Sequence, residues 1–275
     1  MADILTLVFR TFMKPCQVID IAPSKCTTLV IGDHSINRSL LLLAAVTAAS
    51  QLGIKVSFFT HDQIQSLPKS LQDSMSNLGT DNLKKIKFAY PSSLEDLLLD
   101  VASLHESFSG SAAPTSLIIV DGLERYLRVP GSTSGLQQAE LSSASHISAL
   151  LFDTAVFLTQ ILEERATSLA PCRVIASFQP EGEGHVGRGP SAPDPVLSVL
   201  DRYFQMRCTL DRHRPSAPAA AVGPQDTWSV YLSGAGVTDT SPAEDVENPG
   251  LPRQLQMVIG TSGSMEFTFV SSQLT

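Results

Sequence analysis

Hydrophobic positions along this chain fall into short runs, and from Thr27 onward the runs alternate in kind. Thr27–Ile31 (TTLVI), Lys55–Thr60 (KVSFFT), Lys85–Ala89 (KIKFA), Ser116–Val120 (SLIIV) and Arg173–Phe178 (RVIASF) are short and mostly apolar, which predicts buried strands. Between them, Ser39–Leu52 (SLLLLAAVTAASQL) reads as a helix closed by Gly53, a C-cap glycine. Leu94–Leu104 reads as a second helix, entered through Pro91-Ser92-Ser93, with Asp96 completing a capping box. Glu140–Thr167 carries Ile147, Leu151, Ala155, Leu158 and Leu162 at helical spacing and predicts a third, long helix. Strands alternating with helices imply βαβ units, an α/β fold and a mostly parallel central sheet covered on both faces.

The pattern changes after Gln179. Pro180–Pro195 is rich in Gly and Pro and too polar to form a core, which predicts a mobile loop. A short helix over Pro195–Tyr203, a strand near Met206–Leu210 and a strand over Thr227–Leu232 follow. The Asp211–Gln225 and Gly234–Pro252 stretches between and after these strands read as disordered insertions. Gln254–Ile259 and Met265–Val270 form a hairpin closed through Thr261–Ser264, so the C-terminal strands are expected to extend the sheet in antiparallel sense. Ile4–Phe12 (ILTLVFRTF) is rich in β-prone residues and reads as a strand outside the regular pattern. Met13–Lys25 reads as a connector with a strand-like piece at Gln17–Ile21. The organisation is thus an extension over 1–26, a core over 27–270 with insertions near 180–195, 211–225 and 234–252, and a tail over 271–275.

Composition narrows the function classes. The 275 residues hold 19 Lys+Arg against 27 Asp+Glu, a net charge of −8, which disfavours unaided binding to long nucleic acid except through local basic clusters. Cys16, Cys26, Cys172 and Cys208 show neither zinc-ligand spacing nor a disulfide framework. The apolar run Leu40–Ala49 is too short to span a bilayer, and no basic segment precedes the first apolar stretch as in a secretory signal, so an intracellular chain without a membrane role is expected.

Candidate chemistry starts at Gly32-Asp33-His34-Ser35-Ile36-Asn37-Arg38-Ser39, between the first strand and the first helix. That is the place of a phosphate-binding P-loop, but the frame is G-x-x-x-x-N-R-S. In this frame Gly32 keeps the turn, Asn37 replaces the second glycine, and Arg38 keeps the charge of the phosphate-binding lysine as a larger planar fork. Ser39 stands where a Mg²⁺ ligand would be, and Asp33 brings a negative charge close to it. An ordinary strand–helix connection accounts for the same residues. Asp121, ending an apolar strand, matches a Walker B carboxylate that holds Mg²⁺ through water; it equally suits a helix N-cap. Gln179 ends another core strand, and Asp62 follows the second strand.

With those residues in view the chain resembles the RecA-like recombinase paralogs, and among them the small ATPase-like subunits of the vertebrate Shu complex. The resemblance is carried by Leu83–Pro91 (LKKIKFAYP), Ser116–Leu127 (SLIIVDGLERYL), Leu200–Phe204 (LDRYF), Cys208 and the closing hairpin, across roughly Thr27 to Val270. It implies a RecA-like P-loop NTPase core, with Gly32, Asn37, Arg38, Ser39, Asp121 and Gln179 at the nucleotide site. ATP and Mg²⁺ are the implied cofactors, Mg²⁺ through Ser39 and Asp121, and Asp62 stands in the place of the water-activating carboxylate. Also implied are a SWIM-domain zinc protein, the recombinase and its paralogs as partners, single-stranded DNA, homologous-recombination DNA repair and the nucleus. The DNA-facing loops would be Leu127–Gly135, with Arg128, and Pro180–Pro195, with His185 and Arg188. Lys84, Lys85 and Lys87 form a denser basic patch, although lysines on an edge strand also guard against aggregation. Phe9 or Phe12 would anchor a neighbouring subunit by strand addition, with self-packing as the plainer alternative. Phe152–Ala155 has the family's Phe-x-x-Ala letters, within a segment expected to be helical.

The departure at Asn37 and Arg38 turns the expected role away from turnover. It points to a RecA-like subunit that supports recombinase filaments on single-stranded DNA. The alternative is a DNA-stimulated ATPase using the altered loop. A nucleotide kinase is disfavoured because no arginine-rich lid follows the core.

Overall fold

The computed structural model describes residues 4–13, 27–65, 68, 71, 80–106, 113–128, 137–165, 170–180, 194–212, 226–234, 253–260 and 264–269. The expected strand-like piece at Gln17–Ile21, the segments 181–193, 213–225 and 235–252, and with them His185 and Arg188, lie outside the described residues. Nine strands make one sheet: β1 (Thr28–Ile31), β2 (Lys55–Thr60), β3 (Ile86–Ala89), β4 (Thr115–Asp121), β5 (Arg173–Phe178), β6 (Met206–Arg212), β7 (Asp226–Gly234), β8 (Arg253–Ile259) and β9 (Met265–Phe269). Their order is β3-β2-β4-β5-β1-β6-β7-β8-β9. Pairing is parallel from β3 to β6 and antiparallel from β6 to β9. The helices are α1 (Ile4–Phe12), α2 (His34–Gln51), α3 (Thr80–Leu83), α4 (Leu94–Ser103), α5 (Glu124–Leu127), α6 (Gln137–Glu164) and α7 (Pro195–Leu200).

Burial follows this division. All four residues of β1 and all six of β5 are buried, as a strand covered on both faces requires, whereas β6 and β7 alternate buried with partly exposed positions. One core fills the face covered by α1 and α2; the other lies under α4, α5, α6 and α7. Ser93 caps α4 by accepting from the Asp96 amide, and the Asp96 carboxylate accepts from the amide and hydroxyl of Ser92. By length and composition α6 meets the requirements of a membrane span, but its Ile147, Leu151, Leu158 and Leu162 stripe is buried and the helix packs on β4 and β5.

Ile4–Phe12 is a helix and not the expected strand. Its β-prone composition hides a helical pattern: Ile4, Leu5, Val8 and Phe9 are fully buried and Phe12 packs beside them. The helix lies against α2 and β9, with the Phe9 and Phe267 rings 5.0 Å apart. This explains why α2 is buried continuously from Leu40 to Ala49: it is enclosed by the sheet on one side and by α1 on the other. Phe9 is therefore a core residue, and the expected role as an exposed anchor for a neighbour is corrected; Phe12 is half-buried.

Candidate functional site

The carboxyl ends of β1, β2, β4 and β5 meet at one rim of the sheet, the place where open α/β folds put their ligand crevice. After β1 the chain turns at Gly32 and enters α2 almost at once. The helix starts at His34, five residues earlier than the sequence suggested, because Asp33 adopts an extended conformation and caps it. One Asp33 carboxylate oxygen accepts from the Ser35 amide at 2.9 Å and from the Ser35 hydroxyl at 2.6 Å. The Asn37 amide is 2.9 Å from the Asp33 carbonyl, a helical bond. The middle of the supposed loop is thus the first turns of a helix, and the Ser35 and Asn37 amides are both used by Asp33.

Each expected nucleotide residue has found another partner. Asn37 does not hold a left-handed turn; it is a buried helical residue whose side-chain amide donates to the Gly32 carbonyl at 2.9 Å. Gly32 is required here by close approach, since a Cβ would stand 2.9 Å from Leu210 Cβ and 3.2 Å from Asn37 Oδ1. The Ser39 hydroxyl donates back to the Ser35 carbonyl at 2.9 Å. Gln179 contributes its backbone amide, which donates to Glu124 Oε2 at 3.0 Å.

Arg38 is the centre of the site. Its Nε donates to Asp121 Oδ2 at 2.6 Å, and its Nη2 reaches Thr60 Oγ1 at 3.3 Å and Asp62 Oδ2 at 3.2 Å. Burial works against the Arg38 charge, but the hydrogen bonds and charges of Asp121 and then Asp62 outweigh it, and the guanidinium pKa is raised. Asp121 has no solvent exposure, while Arg38 retains 22%. The remaining capacity of Asp121 is filled by the hydroxyls of Thr60 on Oδ2, at 3.0 Å, and Ser177 on Oδ1, at 3.2 Å. Ser177 in turn accepts from the Gly122 amide at 2.8 Å. Thr60 and Asp121 are register partners on neighbouring strands, which brings the hydroxyl to the carboxylate.

Asp62 also accepts from Arg125 and lies 3.2 Å from His61 Nδ1. Burial opposes its charge, but hydrogen bonds from His61, Arg125 and Arg38 prevail and lower its pKa to about 2. Asp62 is thus held as a paired anion between Arg38 and Arg125. Its folded pKa lies below the unfolded value of ~3.9, so its stabilisation is complete above about pH 4 and is lost as pH falls towards about 2. An Asp62→Asn variant should lose less melting temperature than the wild type across that interval; parallel curves would show that these pairs contribute nothing. An open depression of about 650 Å³ lies outside Arg38, His61 and Asp62.

The basic candidates do not gather at this rim. Lys84, Lys85 and Lys87 lie at the opposite end of the sheet. Arg128 donates to Asp194 at 2.7 Å and its guanidinium lies over the Phe178 ring, 5.0 Å from the centroid. Sequence reasoning missed Thr60, Ser177 and Arg125. The first two carried a signal, as polar residues in apolar runs near the carboxyl ends of strands, Thr60 last in FFT and Ser177 next to last in IASF.

No family model matches the chain. The mouse (Mus musculus) protein named ATPase SWSAP1 is 32% identical over 226 residues, covering 78% of this chain and 72% of that protein. The chain belongs to the SWSAP1 family. A human (Homo sapiens) protein of the same name is 29% identical over 222 residues, covering 76% of this chain and 85% of its own. A crystal structure of the RadB recombinase superposes with a TM-score of 0.52 over 90% of this chain and 91% of that one, at 16% identity. The fold is therefore RecA-like, as the sequence implied.

Such a fold accommodates ATP and Mg²⁺ in other proteins, and the residues present in this SWSAP1-family chain do not fit them. Asp33 places a carboxylate on the helix N-terminus that would receive phosphate. The cation meant for phosphate is bound to the carboxylate meant for metal, and that carboxylate is sealed from solvent. Ser39 turns its hydroxyl into the helix.

Proposed function

We propose that the chain is a non-hydrolysing RecA-like subunit in homologous-recombination repair. In this reading it pairs with a SWIM-domain zinc protein in a Shu-type complex, acts in the nucleus, and supports recombinase filaments on single-stranded DNA. Membership of the SWSAP1 family and the RadB-like fold support the recombination role. The observation that carries the non-hydrolysing part is the 2.6 Å bond between Arg38 and the fully buried Asp121, which uses up the two charges that a nucleotide and its metal would need. A net charge of −8 is consistent with a partner supplying much of the positive surface for DNA. The second reading, a DNA-stimulated ATPase, is favoured by the name carried by both relatives.

Melting curves of the chain, alone and co-purified with a SWIM-domain partner, separate the two. A ligand at 100 times its Kd stabilises by about 2.7 kcal/mol. The expected result is a stable complex whose melting temperature does not respond to Mg-ATP. A clear shift with Mg-ATP would restore the enzyme reading, and failure to form any complex with such a partner would remove the subunit reading.

A further inference from the structure

We propose that the cleft at the amino ends of β2, β3 and β4 is a binding site for the phosphodiester backbone of a single nucleic-acid strand, on the opposite end of the sheet from the Arg38 cluster. It rests on the single-stranded-DNA part of the proposed function and gives that part a location. The cleft has a volume of about 230 Å³, with Lys55, Lys84, Lys85 and Lys87 around it and Ser57 and Thr115 in its lining.

Register puts these side chains together. Ser57 of β2 is the pairing partner of Lys87 of β3, and Lys55 is the partner of Thr115 of β4. Residues two apart share a face of a strand, so Lys55 and Ser57 project to one side, as do Lys85 and Lys87. Val56, Phe58, Ile86 and Phe88 project to the other side, into the core shared with α2. The Ser57 and Thr115 hydroxyls are 3.0 Å apart, and Ser57 is almost fully buried beneath the lysines.

Guarding an exposed edge accounts for Lys85 and Lys87 next to and on β3, the outermost strand, but not for Lys55, which lies on an inner strand. Four lysines around one concavity, in a chain whose net charge is −8, concentrate positive charge where an anionic ligand would be attracted. Neighbouring carboxylates offset little of this charge. Among the described residues neither Lys55 nor Lys87 forms an ion pair, Lys85 bonds the neutral Asn82 amide at 3.1 Å, and Lys84 meets Asp81 in a pair whose members are 75% and 87% exposed. Such an exposed pair is weak and easily exchanged. The backbone positions that carry the lysines are spaced by about 5 Å between strands and about 7 Å along one, an extended row that suits a repeating polyanion better than a single ion. Ammonium groups and hydroxyls are also the usual contacts to phosphate oxygens, and the described residues of this lining include no aromatic or guanidinium group that would favour the bases over the backbone.

The test is fluorescence anisotropy of a labelled oligo-dT strand with the full chain, in its complex where one forms, across a salt series. The K55Q/K87Q variant is compared with R207Q/R212Q, which removes the same charge from β6, and melting curves confirm that both variants fold. Removing two phosphate contacts is expected to weaken binding about tenfold at low salt and to lower the salt slope by about 1.4, while the β6 control stays near wild type. Unchanged affinity and slope in K55Q/K87Q would overturn the cleft while leaving DNA binding itself in place. No binding of oligo-dT by the wild type would overturn both. Displacement of the strand by inorganic phosphate at matched ionic strength would assign the site to a free anion, and tighter binding of poly-glutamate than of oligo-dT would assign it to an acidic peptide; either result overturns the proposal.

Discussion

Replacing Arg38 by alanine is expected to lower the melting temperature by about 10 °C. In a phosphate-binding loop the corresponding cation faces the ligand, and its loss is felt in binding. Here the same position holds a carboxylate that is fully buried, and its removal leaves Asp121 charged with only two hydroxyls beside it. Breaking a buried pair from one side costs about 3–5 kcal/mol, and each kcal/mol moves the transition of a chain this size by about 2–4 °C. The double variant R38M/D121N removes both charges and should recover much of that loss, since the penalty belongs to the orphaned carboxylate and not to the pair. Arg38→Lys should fall between, because an ammonium cannot span Asp121, Thr60 and Asp62 as the guanidinium does. A single Arg38→Ala variant melting within about 2 °C of the wild type would show that the cluster is not a structural element.

Phe9→Ala is the second large effect, with an expected loss of about 3–5 kcal/mol in urea unfolding. Phe9 is fully buried, stacked at a tilt on Phe267 and enclosed with Ile4, Leu5 and Val8, so truncation opens a cavity between α1 and the far end of the sheet. Phe12→Ala should cost clearly less, being half-buried at the helix end. If Phe9 were instead an anchor for a neighbouring subunit, the variant would keep its urea midpoint and lose only association; that pattern would remove α1 from the core.

What the sequence disclosed depended on whether the deciding partner was near in the chain. Strands whose composition alone requires two covered faces, such as Thr28–Ile31 and Arg173–Phe178, were legible, as were the Ser93 cap and the closing hairpin, because each is specified within a few residues. Ile4–Phe12 was not, since β-branched and aromatic residues pointed to a strand while the spacing of the buried positions obeyed the helix. The start of α2 was misplaced for a related reason: Asp33 before Ser35 is a capping signal, and the phosphate-loop frame masked it. At the candidate site, the identities of Arg38, Asp62 and Asp121 were all visible. Their mutual neutralisation was not, because Arg38 and Asp121 are 83 positions apart and only the parallel pairing of β2 with β4 brings Thr60, Asp62 and Asp121 to one rim.

The contact of Phe9 with Phe267 joins a helix and a strand whose residues lie 258 positions apart in the chain (267 − 9). A loop of that length must close before the Phe9 flank of α1 finds its partner, so this corner of the core is completed by a contact of very long sequence separation. Production of this protein should therefore be unusually sensitive to chaperone supply, since contacts so distant in sequence form slowly and leave apolar surface open meanwhile.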